Sequence, residues 1–114
     1  MVFRVSISPQ ALSDLDGIAE YLKIEASTAI AEQWFNDIIS AIRTLSKMPS
    51  RCFPAEEPAG LRAPVRVLLF GSRNRQYKIY FTINEPARLV EVLHVRHWAR
   101  KPAAPGDWPV KDPQ

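Results

Sequence analysis

Along residues 2–7 apolar and polar side chains alternate, with Phe3, Val5 and Ile7 on one side and Arg4 and Ser6 on the other. A period of two predicts a β-strand with one buried face. Ser8-Pro9 follows as a helix N-cap with proline at the first helical position, where the absent N–H would have had no partner anyway. The period then changes. Leu12, Leu15, Ile18, Ala19 and Leu22 recur at spacings of three and four, while Asp14, Asp16, Glu20 and Lys23 fall largely elsewhere around the turn. That pattern predicts a helix with one core face and one wet face. Ser27 or Thr28 can cap a second helix, whose stripe of Ala31, Trp34, Phe35, Ile38, Ile42 and Leu45, widened by Ile30 and Ile39, runs to Met48-Pro49. With so short a break, the two helices form an antiparallel hairpin that still needs a sheet to bury what remains. Pro9 and Gly17 read as structural, and Trp34 and Phe35 as core or partner-facing.

Residues 49–64 carry Pro49, Pro54, Pro58, Pro64 and Gly60, a density that disfavours any regular element longer than a turn. Val65, Val67 and Leu69 then alternate with Arg66 and Leu68 up to Gly71-Ser72, predicting a second strand with Arg66 facing outward. After Arg73-Asn74-Arg75, the alternation of Tyr77, Ile79, Phe81 and Ile83 with Gln76, Lys78, Tyr80 and Thr82 predicts a third, rich in β-branched and aromatic residues. Asn84-Glu85-Pro86 makes a turn, and Leu89–Val95 is apolar on both faces, as a central strand is. The order β-α-α-β-β-β predicts an α+β fold: a small antiparallel sheet covered on one face by the N-terminal helical hairpin. One domain is expected over residues 1–101, followed by a proline-rich, extended or disordered tail over 102–114.

Composition narrows the class. The 114 residues are 46% hydrophobic and 24% charged, proportions of a soluble globular domain. No run approaches the roughly 18 apolar residues of a membrane span, and the N-terminus enters a strand pattern without a signal-like apolar stretch. A cytoplasmic protein with no membrane partner is expected. Cys52 is the single cysteine and reads as inert; no metal or cofactor is expected. Charge is unevenly divided: residues 1–60 hold five Lys and Arg against eight Asp and Glu, whereas residues 61–114 hold ten against four. Such asymmetry suits a polyanion or an acidic protein partner.

No glycine loop for nucleotides, Gly-flanked serine or short paired-carboxylate motif occurs, which disfavours nucleotide hydrolysis and acyl transfer. What remains is the basic half and the run His94-Val95-Arg96-His97-Trp98-Ala99-Arg100-Lys101. Metal-free RNA cleavage needs a base, an acid and cations for the developing phosphorane charge, and His and Arg supply all three. Two histidines at i and i+3 of a strand, however, project to opposite faces. The competing reading has both capping the sheet edge and hydrogen-bonding to nearby backbone. Lys78 and Arg66 serve equally as solubilising strand charges. Tyr77 shares the parity of Ile79 and Phe81 and belongs to the core; Tyr80 and Trp98 are candidates to stack bases beside the cations.

Taken in order, Val5-Ser6-Ile7-Ser8-Pro9-Gln10-Ala11, Ala31-Glu32-Gln33-Trp34-Phe35, Leu45 to Pro49, Arg62, Tyr77-Lys78-Ile79-Tyr80-Phe81 and Val92-Leu93-His94-Val95-Arg96-His97 resemble the RelE/ParE toxin superfamily of bacterial type II toxin-antitoxin modules. The resemblance spans about residues 2–101. It implies a growth-arresting toxin neutralised by a cognate antitoxin, an acidic protein with a segment that folds on binding. RelE-like members cut messenger RNA on the ribosome, whereas ParE-like members poison DNA gyrase. For a ribonuclease, the resemblance implies His97, Lys78 and Arg62 as the catalytic set. Arg66, Arg73, Arg75, Tyr80, Arg96, Trp98 and Arg100 are the candidate nucleic-acid or partner contacts. Lys78 stands where such ribonucleases have an arginine, and His97-Trp98 where they have a His-Tyr pair. Lysine lacks the planar fork, and tryptophan cannot exchange a proton as tyrosine does. These departures, with the Tyr21-Leu22 helix end and the Ser27 and Ala29 that follow, favour the ParE-like branch. A non-toxic nucleic-acid-binding module is the alternative from another class.

Overall fold

The structure, a computed structural model, describes residues 2–55, 64–72 and 75–97. Strand β1 (Arg4–Ile7) leads into helices α1 (Pro9–Glu25) and α2 (Thr28–Arg43), followed by two 3₁₀ turns at Thr44–Ser46 and Pro49–Arg51. Strands β2 (Phe53–Pro54), β3 (Arg66–Phe70), β4 (Tyr77–Asn84) and β5 (Leu89–His97) are the remaining elements among the described residues. Both helices start where the capping residues predict: Ser8 Oγ accepts the Ala11 N–H at 3.0 Å and Ser27 Oγ the Ile30 N–H at 3.1 Å. Helix α2 stops at Arg43, short of Met48. The Thr44 hydroxyl donates to the Ala41 carbonyl at 2.6 Å, and Met48 takes a left-handed backbone (φ 47°) that reverses the chain before Pro49. The apolar stripe nevertheless continues through Leu45, fully buried in the first 3₁₀ turn.

The sheet order is β1-β5-β4-β3-β2. The last four strands pair antiparallel, and β5 lies inside the sheet between β1 and β4. Strand β1 joins β5 in parallel, with Val5 opposite Val90 and Ile7 opposite Val92. These two strands lie far apart in sequence with the helical hairpin between them, so no tight turn dictates their direction. The two-residue β2 adds a short edge inside the proline-rich segment.

The main core lies between the hairpin and the sheet. Leu15, Ile38, Ile42, Leu45, Ile79, Phe81, Val90 and Val92 are sealed from solvent there. Leu12 and Ile30, expected on the buried stripes, are instead 45% and 41% exposed. In β3 the observed parity is the reverse of the expected one: Arg66, Leu68 and Phe70 sit opposite Phe81, Ile79 and Tyr77 on the helix side. Apolar residues occupy both parities of that strand, so alternation alone does not orient it; pairing with β4 does. Val65, Tyr80 and Leu93, with Ala55 and Val67, form a smaller cluster of their own. Among the described residues, no helix is long and apolar enough to cross a membrane.

Candidate functional site

Pairing with β1 ends at Val92, while β5 runs on to His97. The backbone edge of β5 beyond that point would be open, and α1 takes the place of the missing strand. Ser8 donates its N–H to the Val92 carbonyl at 2.9 Å and its hydroxyl to the Leu93 carbonyl at 3.1 Å. Two turns into the helix, one carboxylate oxygen of Asp14 accepts the Val95 N–H at 2.9 Å and also bonds His94 Nδ1. The His94 side chain is 6% exposed and that of Asp14 14%. The β4–β5 register shifts here: Tyr80 opposes His94, whereas Phe81 opposes Val92, so Leu93 is the extra residue of a bulge. From His94 to His97 the pairing with β4 is regular, and both histidines border one cleft between α1 and the end of β5.

The cleft encloses about 840 Å³. Its helix wall carries Gly17 and Tyr21; its sheet wall carries Tyr77, His94 and His97, with Arg75 at the rim. The His97 ring meets Tyr77 edge-on, centroids 5.3 Å apart, and Trp34 packs against the same tyrosine at 5.3 Å. Burial pushes the Tyr77 hydroxyl above its ordinary pKa, and the Arg75 charge only partly offsets this. The phenol therefore stays neutral and serves as a packing surface.

Of the sequence-derived catalytic set, His97 and Lys78 do not converge. His97 opposes Tyr77 and Lys78 opposes Arg96, so the alternation of a strand sets His97 and Lys78 on opposite sheet faces. Arg62 lies outside the described residues, as do Arg73, Trp98 and Arg100 among the candidate contacts and the tail over 102–114. Arg75 is exposed at the cleft, and Arg96 borders it. Arg66, expected to face outward, turns its guanidinium to the chain: Nη1 donates to the Cys52 carbonyl at 2.7 Å and lies 3.4 Å from the Ser50 carbonyl. Tyr80 is 1% exposed, so its ring is not a surface for stacking a base. The histidines keep the opposite parities expected of i and i+3 in a strand, yet both border the one cleft at the edge of β5 that faces α1, where His94 bonds the Asp14 carboxylate. Asp14 is the functional side chain that sequence reasoning missed. It sits among the polar positions of an amphipathic helix, and nothing local distinguishes it from Asp16. Among the described residues no three His, Cys, Asp or Glu side chains gather as a metal site.

Two solved structures share this architecture. The chromosomal ParDE toxin-antitoxin system from P. aeruginosa contains a chain that superimposes with a TM-score of 0.69 at 16% identity, covering 84% of this chain and 96% of that one. A mutant E. coli toxin RelE in the free state gives a TM-score of 0.52 at 13% identity, covering 87% and 86%. At such identities the likeness is one of fold. No curated protein matches the sequence closely enough to count as a relative. The sequence model of the ParE toxin of type II toxin-antitoxin systems, parDE, does match, over residues 5–102. That span runs from β1 through α1, α2 and every later strand, and the chain belongs to the ParE toxin family.

Proposed function

We propose that this protein is the toxin of a parDE-type module and that it arrests growth by binding DNA gyrase rather than by cutting RNA itself. The observation that carries this reading is the separation of His97 from Lys78 across the sheet. Cleavage of a phosphodiester needs a proton-transfer group and a cation within reach of one phosphate, and here the two candidates point to opposite sides. His97 is engaged edge-on with Tyr77, and His94 with Asp14, so both imidazoles have packing roles. Similarity to the ParDE system of P. aeruginosa in fold, and to the ParE family in sequence, supports the same reading.

RNA cleavage is the second reading, favoured by one feature: His94, His97, Arg75 and Arg96 all border the same cleft. The experiment compares messenger cleavage on translating ribosomes with gyrase supercoiling and cleavage-complex formation, using wild type and His97→Ala at equal folded concentration. Inhibition of gyrase by both proteins, with messenger intact, is expected. Ribosome-dependent cutting that falls roughly 10² to 10⁴-fold in His97→Ala, with gyrase untouched, would overturn the proposal.

A further inference from the structure

The sheet has a second face, turned away from the helices. Val67 and Leu69 alternate there with the helix-side residues of β3, and Leu69 lies opposite Lys78, which in turn lies opposite Arg96. These residues form one row across β3, β4 and β5, about 10 Å wide at the usual strand spacing. Phe53 of β2 pairs with Val67 and so stands on the same face, diagonal to Leu69. Two independent observations set this patch apart. Leu69 and Phe53 are 51% and 75% exposed, whereas Val65, Tyr80 and Leu93 of the smaller cluster are buried. Lys78 and Arg96 are like charges directly opposite one another, a placement that destabilises a sheet. Neither feature stabilises the fold, and each becomes favourable against a partner that brings apolar surface and negative charge.

We infer that this outer face is where the toxin docks on gyrase, and that gyrase meets it with a protein surface: an apolar centre that covers Leu69 and Phe53, flanked by carboxylates that pair with Lys78 and Arg96. The inference rests on the reading of the chain as a gyrase-binding toxin; it adds which face binds and the chemistry of the contact. The carboxylates of this chain lie around the row rather than in it. Asp14 and Glu25 line the cleft that Arg96 borders, and Asp14 is bonded to His94 and the Val95 N–H. Glu91 stands opposite Thr82, two rows up the sheet, and Glu56 and Glu57 follow Ala55 outside the described residues. A phosphate backbone would neutralise the cations but leave Leu69 bare, because an aliphatic side chain offers no plane on which a base can stack. A second copy docked on this face about a twofold axis would bring two cationic pairs together. An acidic protein surface with an apolar centre meets neither obstacle.

The experiment measures melting of the full-length chain and the concentration at which it inhibits supercoiling by gyrase, for wild type, Leu69→Thr, Phe53→Thr, Lys78→Glu and, exposed on α2 off this face, Gln33→Ala. Threonine suits a strand, so Leu69→Thr and Phe53→Thr should fold as wild type does. Each should weaken inhibition about fivefold to thirtyfold, the range of a truncated anchor residue at an interface. Lys78→Glu exchanges a like pair for an opposite one and should melt a few degrees higher. It should nevertheless inhibit about tenfold less or worse, with a weaker response to added salt. Gln33→Ala should change neither property. If the three face variants inhibit as wild type does, the face is wrong and the gyrase reading stands. If wild type does not inhibit gyrase, that reading falls, and the inference with it. A lower melting temperature for Lys78→Glu would mean that the cationic pair serves the fold, and would overturn the inference. Messenger cleavage by wild type that Lys78→Glu abolishes and Leu69→Thr leaves intact would assign the face to RNA and also overturn it.

Discussion

Removing the Asp14 carboxylate should damage this fold far more than its position on the polar side of a helix suggests. In Asp14→Ala two groups lose their acceptor together: the Val95 N–H, held at 2.9 Å, and His94 Nδ1. Val95 is 3% and His94 5% exposed, so water does not simply replace the carboxylate. A buried donor left unsatisfied costs about 1–3 kcal/mol. Two such groups, with some relief from water entering the cleft, give a loss of about 2–5 kcal/mol. For a domain of this size each kcal/mol is worth about 4 to 8 °C, so melting should fall by roughly 10 °C or more.

Two further variants isolate the cause. Asp14→Asn keeps an oxygen for the Val95 N–H but loses the charge-assisted bond to His94, and should lose about 1–2 kcal/mol. Asp16→Ala, two residues on and exposed, should stay within about 0.5 kcal/mol of wild type. Thermal unfolding followed by circular dichroism gives the order of stability, and hydrogen exchange at the Val95 amide reports the edge itself. Equal melting temperatures for Asp14→Ala and Asp16→Ala, or unchanged protection at Val95, would refute the role of α1 as the substitute strand.

Gly71→Ala should disrupt the β3–β4 turn, because Gly71 has φ +88° and an added Cβ would lie 2.1 Å from the Arg75 carbonyl oxygen; a urea midpoint that does not fall would contradict this. Ile38→Ala, at a fully buried position between hairpin and sheet, should cost about 2–5 kcal/mol in denaturant unfolding, and a loss under about 1 kcal/mol would mean that the hairpin packs loosely. Cys52 is 8% exposed, and burial raises its thiol pKa despite the nearby Arg51 and Arg66 charges. Thiol reagents at pH 8 should therefore label the folded protein slowly and the urea-unfolded protein quickly, and rapid labelling of the folded state would refute the burial. Alkaline stability follows the same groups. With folded pKa values above ordinary ones near 9.0 for Cys52 and 10.0 for Tyr77, the unfolded chain releases its protons first. Stability is then complete below about pH 9 and declines as pH rises through the raised folded values; Cys52→Ala should delay the onset of that decline.

Elements were legible where one physical signal dominated. Ser8-Pro9 and Ser27 announce helix starts by local hydrogen-bonding chemistry that needs no tertiary partner, and the alternation of Tyr77, Ile79 and Phe81 places them on the buried face of β4. Strand β3 defeated the same logic because Val67 and Leu69 are as apolar as Leu68 and Phe70, and only the register with β4 chooses between the two faces. Tyr80 misled for a related reason: its parity is outward from the main core, yet a second cluster with Val65 and Leu93 covers it. The candidate site was less readable still. Its determinants are the end of the β1 pairing at Val92 and the bonds that Asp14 makes to residues 94 and 95, and neither leaves a trace in spacing along the chain. A polar residue on a wet helix face looks the same whether it meets water or the open edge of a strand.

That ambiguity bears on mechanism. An imidazole that works as a general acid or base must change protonation within each turnover. His94 shares its Asp14 oxygen with the Val95 N–H, so any change in the His94–Asp14 bond acts on the group that holds the edge of β5 to α1. Chemistry at His94 would disturb the scaffold that forms the cleft. The same bonds do no harm in a protein that acts by binding, because they brace both walls of the cleft: Asp14 lies one helical turn before Gly17, and Val95 two residues before His97. A rigid α1–β5 contact therefore suits a surface that must be presented unchanged to a large partner, and it leaves His97, rather than His94, as the histidine whose replacement distinguishes binding from cleavage.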